Sequence, residues 1–243
     1  MPEVLPEEPS MSEVARITGV FSSPSVAFRD IAKRPRWWIP VILLSILAVI
    51  SSLAYDKRIG YEQGARRILE ASPQMLDMPP AQRERSVAII ATVMKVQGYG
   101  GAILFILLGV LIFAAVLKFL FDVIMGADVG FQRMMGIVSY AQLPTLIQIA
   151  LTMLVMNLKP PEDFDIQNPL AFNVGAFLSS ETPAWLRSLG ASLDLFSLWS
   201  IALMAIGVSV ASRKMTFGKA LAGIVFPWAL YVALKTGAAA IRG

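Results

Sequence analysis

Residues 136–152 read Gly136-Ile-Val-Ser139-Tyr140-Ala-Gln142-Leu-Pro144-Thr145-Leu-Ile-Gln148-Ile-Ala-Leu-Thr152. The stretch is apolar enough for a membrane, yet it carries two glutamines, a tyrosine, hydroxyls and an internal proline. At about 100° per residue, Tyr140, Pro144, Gln148 and Thr152 form one slowly rotating stripe, with Ser139 and Gln142 on roughly the opposite side. A helix with polar groups on two faces is a poor lipid-facing element, because each unpaired polar group in hydrocarbon costs a few kcal/mol. The expectation is a helix at the centre of a bundle, with the other elements packed around it.

The composition agrees with a membrane bundle. Of 243 residues 56% are hydrophobic and 16% charged, with a mean hydropathy of +0.65; a soluble domain carries about 25% charged residues. The apolar residues gather in runs of about twenty, the length of a membrane span. The fold class expected is all-α: a polytopic membrane helical bundle with five transmembrane helices at about 38–55, 98–121, 134–158, 195–211 and 219–240. The first apolar run begins near Trp37, too far in and too long for a cleavable leader.

Residues 1–12, rich in Pro and Glu, read as a disordered tail. From residue 13 to 36 apolar residues recur at helical spacing (Val14, Ile17, Val20, Phe21, then Val26, Phe28, Ile31), with Ser23 and Pro24 as a hydroxyl N-cap and first helical residue. Arg29, Lys33, Arg34 and Arg36 then crowd against Trp37 and Trp38. A basic amphipathic helix ending in an aromatic pair predicts an element lying at the cytoplasmic membrane surface, anchored by Phe28, Arg34, Arg36, Trp37 and Trp38; the functional alternative is a partner-binding helix.

Residues 56–97 form a polar connection broken by Pro73 and by Pro79 with Pro80, after which helical spacing runs straight into the second span. Lys118 and Asp122 are near enough to pair at its end, and snorkelling is their simplest role. Residues 125–130 make a short turn. The acidic loop after residue 158 contains a short expected helix at 183–189, capped by Thr182 and stopped by Gly190, with Trp185 on the membrane surface. Asp194 or Ser192 caps the fourth span, and 212–217 is a tight basic turn. Basic density near the spans places the N-terminus in the cytoplasm and, with five spans, the C-terminus outside. Phe131-Gln-Arg133 echoes Phe217-Gly-Lys219, each opening a span that later contains a proline (Pro144, Pro227), which hints at a duplicated hairpin.

The chain has no cysteine and no histidine. Disulfides, thiol chemistry, His–Cys zinc sites and Ser-His-Asp triads are therefore excluded. No Asp or Glu lies deep in a span, and neither phosphate-binding nor dinucleotide-binding glycine pattern occurs, so no enzyme, cofactor or metal is expected. A net charge of +4 is too small and scattered for nucleic acid and suits membrane lipid. The candidate polar intramembrane site comprises Tyr140, Gln142, Pro144, Gln148 and Asp194, with a kink where Pro144 cannot donate to the Tyr140 carbonyl. Small residues such as Ala233 and Gly237 supply a face on which a homo-oligomer could form.

Four segments together resemble a known family: Phe21-Ser-Ser-Pro24 with Phe28 and Arg34-Pro-Arg-Trp-Trp-Ile-Pro40; Ser139-Tyr-Ala-Gln-Leu-Pro144; Leu193-Asp-Leu-Phe-Ser-Leu-Trp199 with Gly207; and Phe217-Gly-Lys-Ala220. The chain is similar to the Yip domain, or Ypt/Rab-interacting, family of five-span integral membrane proteins, as a bacterial-type member. The resemblance implies a cytosolic N-terminus, five spans and no catalytic centre. Eukaryotic members are linked to Rab GTPases and early secretory traffic. The Asp-Leu-Tyr-Gly-Pro motif of those members is absent here, which points to a bacterial plasma membrane. Two functions then compete: a non-enzymatic membrane-organising or partner-binding scaffold, and a small transporter or lipid-handling protein using the polar site of the third span.

Overall fold

The computed structural model describes residues 10–70, 78–164, 168–179 and 181–242. Most of the expected tail, and Pro73, lie outside these residues. Ser12 accepts the Ala15 N–H at 3.2 Å and starts α1 (Glu13–Ser22), followed directly by α2 (Pro24–Lys33). The amphipathic segment is thus two helices rather than one. Pro24 opens α2 as expected, but the Ser23 hydroxyl makes no cap; its backbone N–H bonds Gly19 O and its carbonyl takes Val26 and Ala27.

Among the described residues, four helices are long and apolar enough to cross a membrane. The first is α3 (Trp38–Arg58). The second is one continuous helical stretch, Pro80–Ile124, made of α5 (Pro80–Val96), a π-turn at Gln97–Gly101, α6 (Ala102–Lys118) and a second π-turn at Phe119–Ile124. The third contains α7 (Phe131–Ala141) and α8 (Pro144–Leu158), and the last is α11 (Phe217–Arg242). The expected fourth span is the shorter apolar helix α10 (Leu195–Ala211), of 17 residues. At 1.5 Å per residue it is about 25 Å long, short of a hydrocarbon core of about 30 Å.

Outside these lie α4 (Tyr61–Glu70) and α9 (Ala184–Ser192). The polar connection therefore contains a helix that its composition concealed. In α9, Thr182 does not cap; its hydroxyl pairs with that of Ser179. Nor does Gly190 end the helix, which runs on to Ser192 with Gly190 pressed on the Gly175 backbone. Asp194 caps α10, accepting the Phe196 and Ser197 N–H groups at 2.9 and 3.3 Å and the Ser197 hydroxyl.

The proline of the opening stretch divides it. The Leu143 and Thr145 N–H groups bond Tyr140 O and Gln142 O at 3.2 and 2.9 Å, so two residues of tight turn separate α7 from α8. Every residue from Met134 to Ala141 is buried, whereas Ile147 and Leu154 of α8 are exposed. Only the first half is the axis of the bundle. Pro227, by contrast, stays inside the continuous α11; the echo between the two spans stops at their starts.

Helix α7 packs against α6, α10 and α2, while α10 also meets α2 and α11, and α3 lies against α6 and α8. Phe28 and Ile31 of α2, both wholly buried, fill the space between α7 and α10. The turn after α6 is bolted beneath them. Asp122 pairs with Lys118 at 3.5 Å and also accepts the Val129 and Gly130 N–H groups at 2.7 and 3.1 Å. Ser212, just past α10, donates to Ala127 O. Asp122 is therefore a turn brace rather than a snorkelling charge.

A methyl group on Gly207 would lie 2.6 Å from the Ile137 side chain and 3.1 Å from Phe28, whereas one on Gly109 would touch nothing within 4 Å. Gly207→Leu is expected to destabilise the bundle by about 1–3 kcal/mol through overpacking. Gly109→Ala should leave it unchanged or slightly firmer. Thermal unfolding in detergent, read by tryptophan fluorescence, checks the contrast.

Candidate functional site

The helical face of α1 that turns inward carries Arg16, Gly19 and Val20, all buried. Arg16 is 1% exposed, and a charge so placed persists only if its donors are met. Its Nε donates to Asp30 Oδ2 of α2 at 2.6 Å, and Nη1 donates to Glu13 Oε1 at 3.0 Å and to Arg34 O at 3.1 Å. Glu13 is the hub. Its Oε1 also accepts Arg36 Nη1 at 3.1 Å, and its Oε2 accepts the Tyr140 hydroxyl of α7 at 2.6 Å. The Met11 N–H reaches Asp30 Oδ1 at 3.4 Å.

Burial by itself opposes the Arg16 charge. The hydrogen bond and charge of Asp30, with the charge of Glu13, outweigh it and raise the guanidinium above its ordinary pKa. A raised value in the folded state means that this stabilisation is complete below the unfolded-chain pKa and is lost only as pH climbs through the folded one. This network of Glu13, Arg16, Asp30 and Tyr140, which latches α1 and α2 to α7, therefore holds its Arg16 charge across all physiological pH. Chemically it is closed: Glu13 is occupied by three donors and Tyr140 is wholly buried. Ser139 donates back to Gly136 O of its own helix at 3.2 Å. Among the described residues no group of three or more acidic side chains converges to hold a metal ion.

The structure does not gather the expected polar residues into one site. Tyr140 belongs to the latch. Pro144 is buried at the start of α8; Gln142 and Gln148 are half-buried, and among the described residues neither side chain finds a hydrogen-bond partner. Asp194 serves as the cap of α10. It sits one helix length, about 25 Å, from the end of α10 that Ser212 ties to the α6–α7 turn. Of the expected surface anchors, Trp38 and Trp185 are 49% and 43% exposed, Arg34 and Arg36 are exposed, Trp37 packs partly on the core, and Phe28 is wholly buried.

Glu13, Arg16 and Asp30 lie outside the apolar stripe that the sequence suggests, because that stripe runs through Val14, which is 71% exposed. The signal that marks them is a charge inside the buried spacing: Arg16, Gly19 and Val20 fall at i, i+3 and i+4, with Glu13 three residues earlier.

Removing one member of a buried ion group strands the others, at a cost of about 3–5 kcal/mol. Arg16→Ala should therefore cost that much, while Tyr140→Phe, which leaves Glu13 its two arginines, should cost about 1–2 kcal/mol. A double-mutant cycle between Glu13→Gln and Tyr140→Phe, read as thermal or denaturant unfolding in detergent, should give a coupling of about 0.5–3 kcal/mol; additivity would mean that the contact carries no stability.

Comparison with known proteins adds the family. The Yip1 domain model matches residues 18–236. "Membrane protein YknW" of Bacillus subtilis (strain 168) is 24% identical over 197 residues, which cover 81% of this chain and 78% of that protein. No solved structure matches. With its span-length apolar helices and a match running from α1 into α11, this chain is a multi-pass membrane protein of the Yip1 domain family.

Proposed function

We propose that the protein is a non-enzymatic, five-span scaffold of a bacterial plasma membrane that organises membrane or binds a protein partner through its N-terminal helices. The observation that carries this reading is the latch: the Glu13–Arg16–Asp30–Tyr140 network commits the Tyr140 hydroxyl of α7 to holding α1 and α2 on the bundle. What remains outward on those helices is a fixed surface that includes Val14 and Val26, 71% and 53% exposed. A transporter using the polar residues of the third span needs a path past Tyr140, and that residue is sealed. The same reading leaves the small-residue face around Gly237, beside the exposed Leu230 and Leu234 of α11, to lipid or to a second copy.

The scaffold reading is tested with a photo-crosslinking amino acid at position 14 or 26 in the native membrane. Discrete protein adducts at these positions, absent with the residue at exposed lipid-facing Ile112, are the expected result. Ion flux or lipid scrambling by the pure protein in vesicles, with no adducts, would replace it by the transport reading.

Topology has its own test, since the native chain has no cysteine. Five spans place the ends on opposite sides; if α10 does not cross, four spans place them together. Ser10→Cys and Ile241→Cys should differ in labelling by a membrane-impermeant maleimide on intact cells, the second reacting and the first reacting only after lysis. Equal labelling would remove the fifth crossing.

A further inference from the structure

At the end of the bundle opposite the latch, α3, the α5–α6 junction and α8 line an open cavity of about 350 Å³, within the size range of small-ligand sites. Its walls are mostly apolar (Met94, Ala102, Met156, Phe164), with hydroxyls from Ser51, Ser52 and Thr152. The stretch Pro80–Ile124 is 45 residues, about 68 Å at 1.5 Å per residue, or more than twice the hydrocarbon thickness. No charged residue lies between Lys95 and Lys118, and the cavity is lined just past Lys95, so it stands at the polar end of that uncharged run, the level expected for head groups. The π-turn Gln97–Gly101 forms its rim; such turns inside α-helices recur at functional sites.

Tyr61 is common to this cavity and to an outer groove of about 700 Å³ between α4 and α5. The outer groove holds both signs of charge: Asp56, Glu62, Arg66 and Lys95. Two of these are committed, Asp56 to the Tyr99 hydroxyl at 2.5 Å and Arg66 to Glu84 at 2.7 and 2.8 Å. Among the described residues, Lys95 and Glu62 make no side-chain hydrogen bond or close ion pair, and Glu62 lies within electrostatic reach of Arg66 on its own helix. An apolar chamber joined through Tyr61 to a groove of both charge signs, in which Lys95 and Glu62 keep their hydrogen-bonding atoms unspent, suits an amphiphile with an apolar chain and a zwitterionic head.

We propose that this double cleft binds a zwitterionic phospholipid with a primary ammonium head. One acyl chain occupies the chamber beside Met94, Ala102 and Met156. The phosphate faces Lys95 and the ammonium, which donates hydrogen bonds, faces Glu62. The site is separate from the latch and stands whether or not the scaffold reading does.

The test uses the full chain in lipid nanodiscs with a phosphatidylethanolamine carrying a diazirine in its acyl chain. Photoreactive phosphatidylglycerol and diacylglycerol serve as the other arms. Adducts mapped by mass spectrometry should fall on peptides containing Met94, Ala102 or Met156, and ethanolamine lipid should label them several-fold more than either comparator. Ser51→Leu, which fills the chamber, should reduce that labelling about tenfold, the equivalent of one lost favourable contact of about 1.4 kcal/mol. Lys95→Glu should reduce labelling by both phospholipids and spare diacylglycerol, in protein whose unfolding temperature is unchanged. Labelling spread evenly over the outer face of α6, at Ile103 and Leu108, would overturn the site. Equal labelling by diacylglycerol would overturn the head-group assignment. Because the wild-type map is itself decisive, a variant that fails to fold leaves the outcome intact.

Discussion

A guanidinium withdrawn almost wholly from solvent organises this protein. Arg16 cannot be solvated, so every hydrogen bond it would give water must come from the chain, and each partner is thereby positioned. Asp30 draws α2 back along α1, the Arg34 carbonyl anchors the segment before α3, and Glu13 is left with one oxygen directed at Tyr140. That last bond joins residues 127 apart in the sequence. It determines where the N-terminal helices sit on the spans, and Phe28 and Ile31 then complete the packing between α7 and α10.

The two ends of the bundle differ as a result. At the latch end, side chains close the turns onto one another: Asp122 braces the start of α7, and Ser212 ties the end of α10 to the same turn. Side chains there interlock over Gly207 and Gly136, where α2 and its following Pro35 approach α7 and α10 closely. At the other end an open chamber lies between α3, α8 and the α5–α6 junction. Tyr55, Tyr61, Tyr99 and Phe164 meet ring to ring around an open chamber instead of filling it. The second end nevertheless has a buried cluster of its own, in which Ala65, Val87, Ala91 and Met156 pack with these rings.

Several features were legible in the residues alone because they rest on local chemistry. The apolar runs, the continuity of 80–124, a cap for α10 at Asp194 or Ser192 and a kink at Pro144 each follow from hydropathy, a side-chain oxygen at a helix start, or a missing N–H; the structure chose Asp194 and turned the kink into a two-residue break. The family was legible too, from four short segments in the right order. What escaped were features in which two local rules compete. Ser23 looked like a cap, but the preceding helix claims its N–H. Gly190 looked like a stop, but it is a contact. Arg16 drew no notice, because hydropathy counts a buried, paired arginine as if it were solvated.

By itself, the sequence determined that this is a helical membrane protein of the Yip1 domain family with no histidine or cysteine chemistry. Burial of about twenty apolar residues per span leaves no other fold, and an absent residue type cannot act. Only the tertiary structure decided which polar groups are spent and which stay available. Tyr140 and Gln148 share a stripe at helical spacing, yet one is sealed by a carboxylate from the N-terminus and the other is not. The stretch that begins at Gly136 is thus a core helix up to Pro144 and a partly exposed one after it. Helical periodicity places side chains on a face, but the partner that arrives at that face comes from elsewhere in the chain.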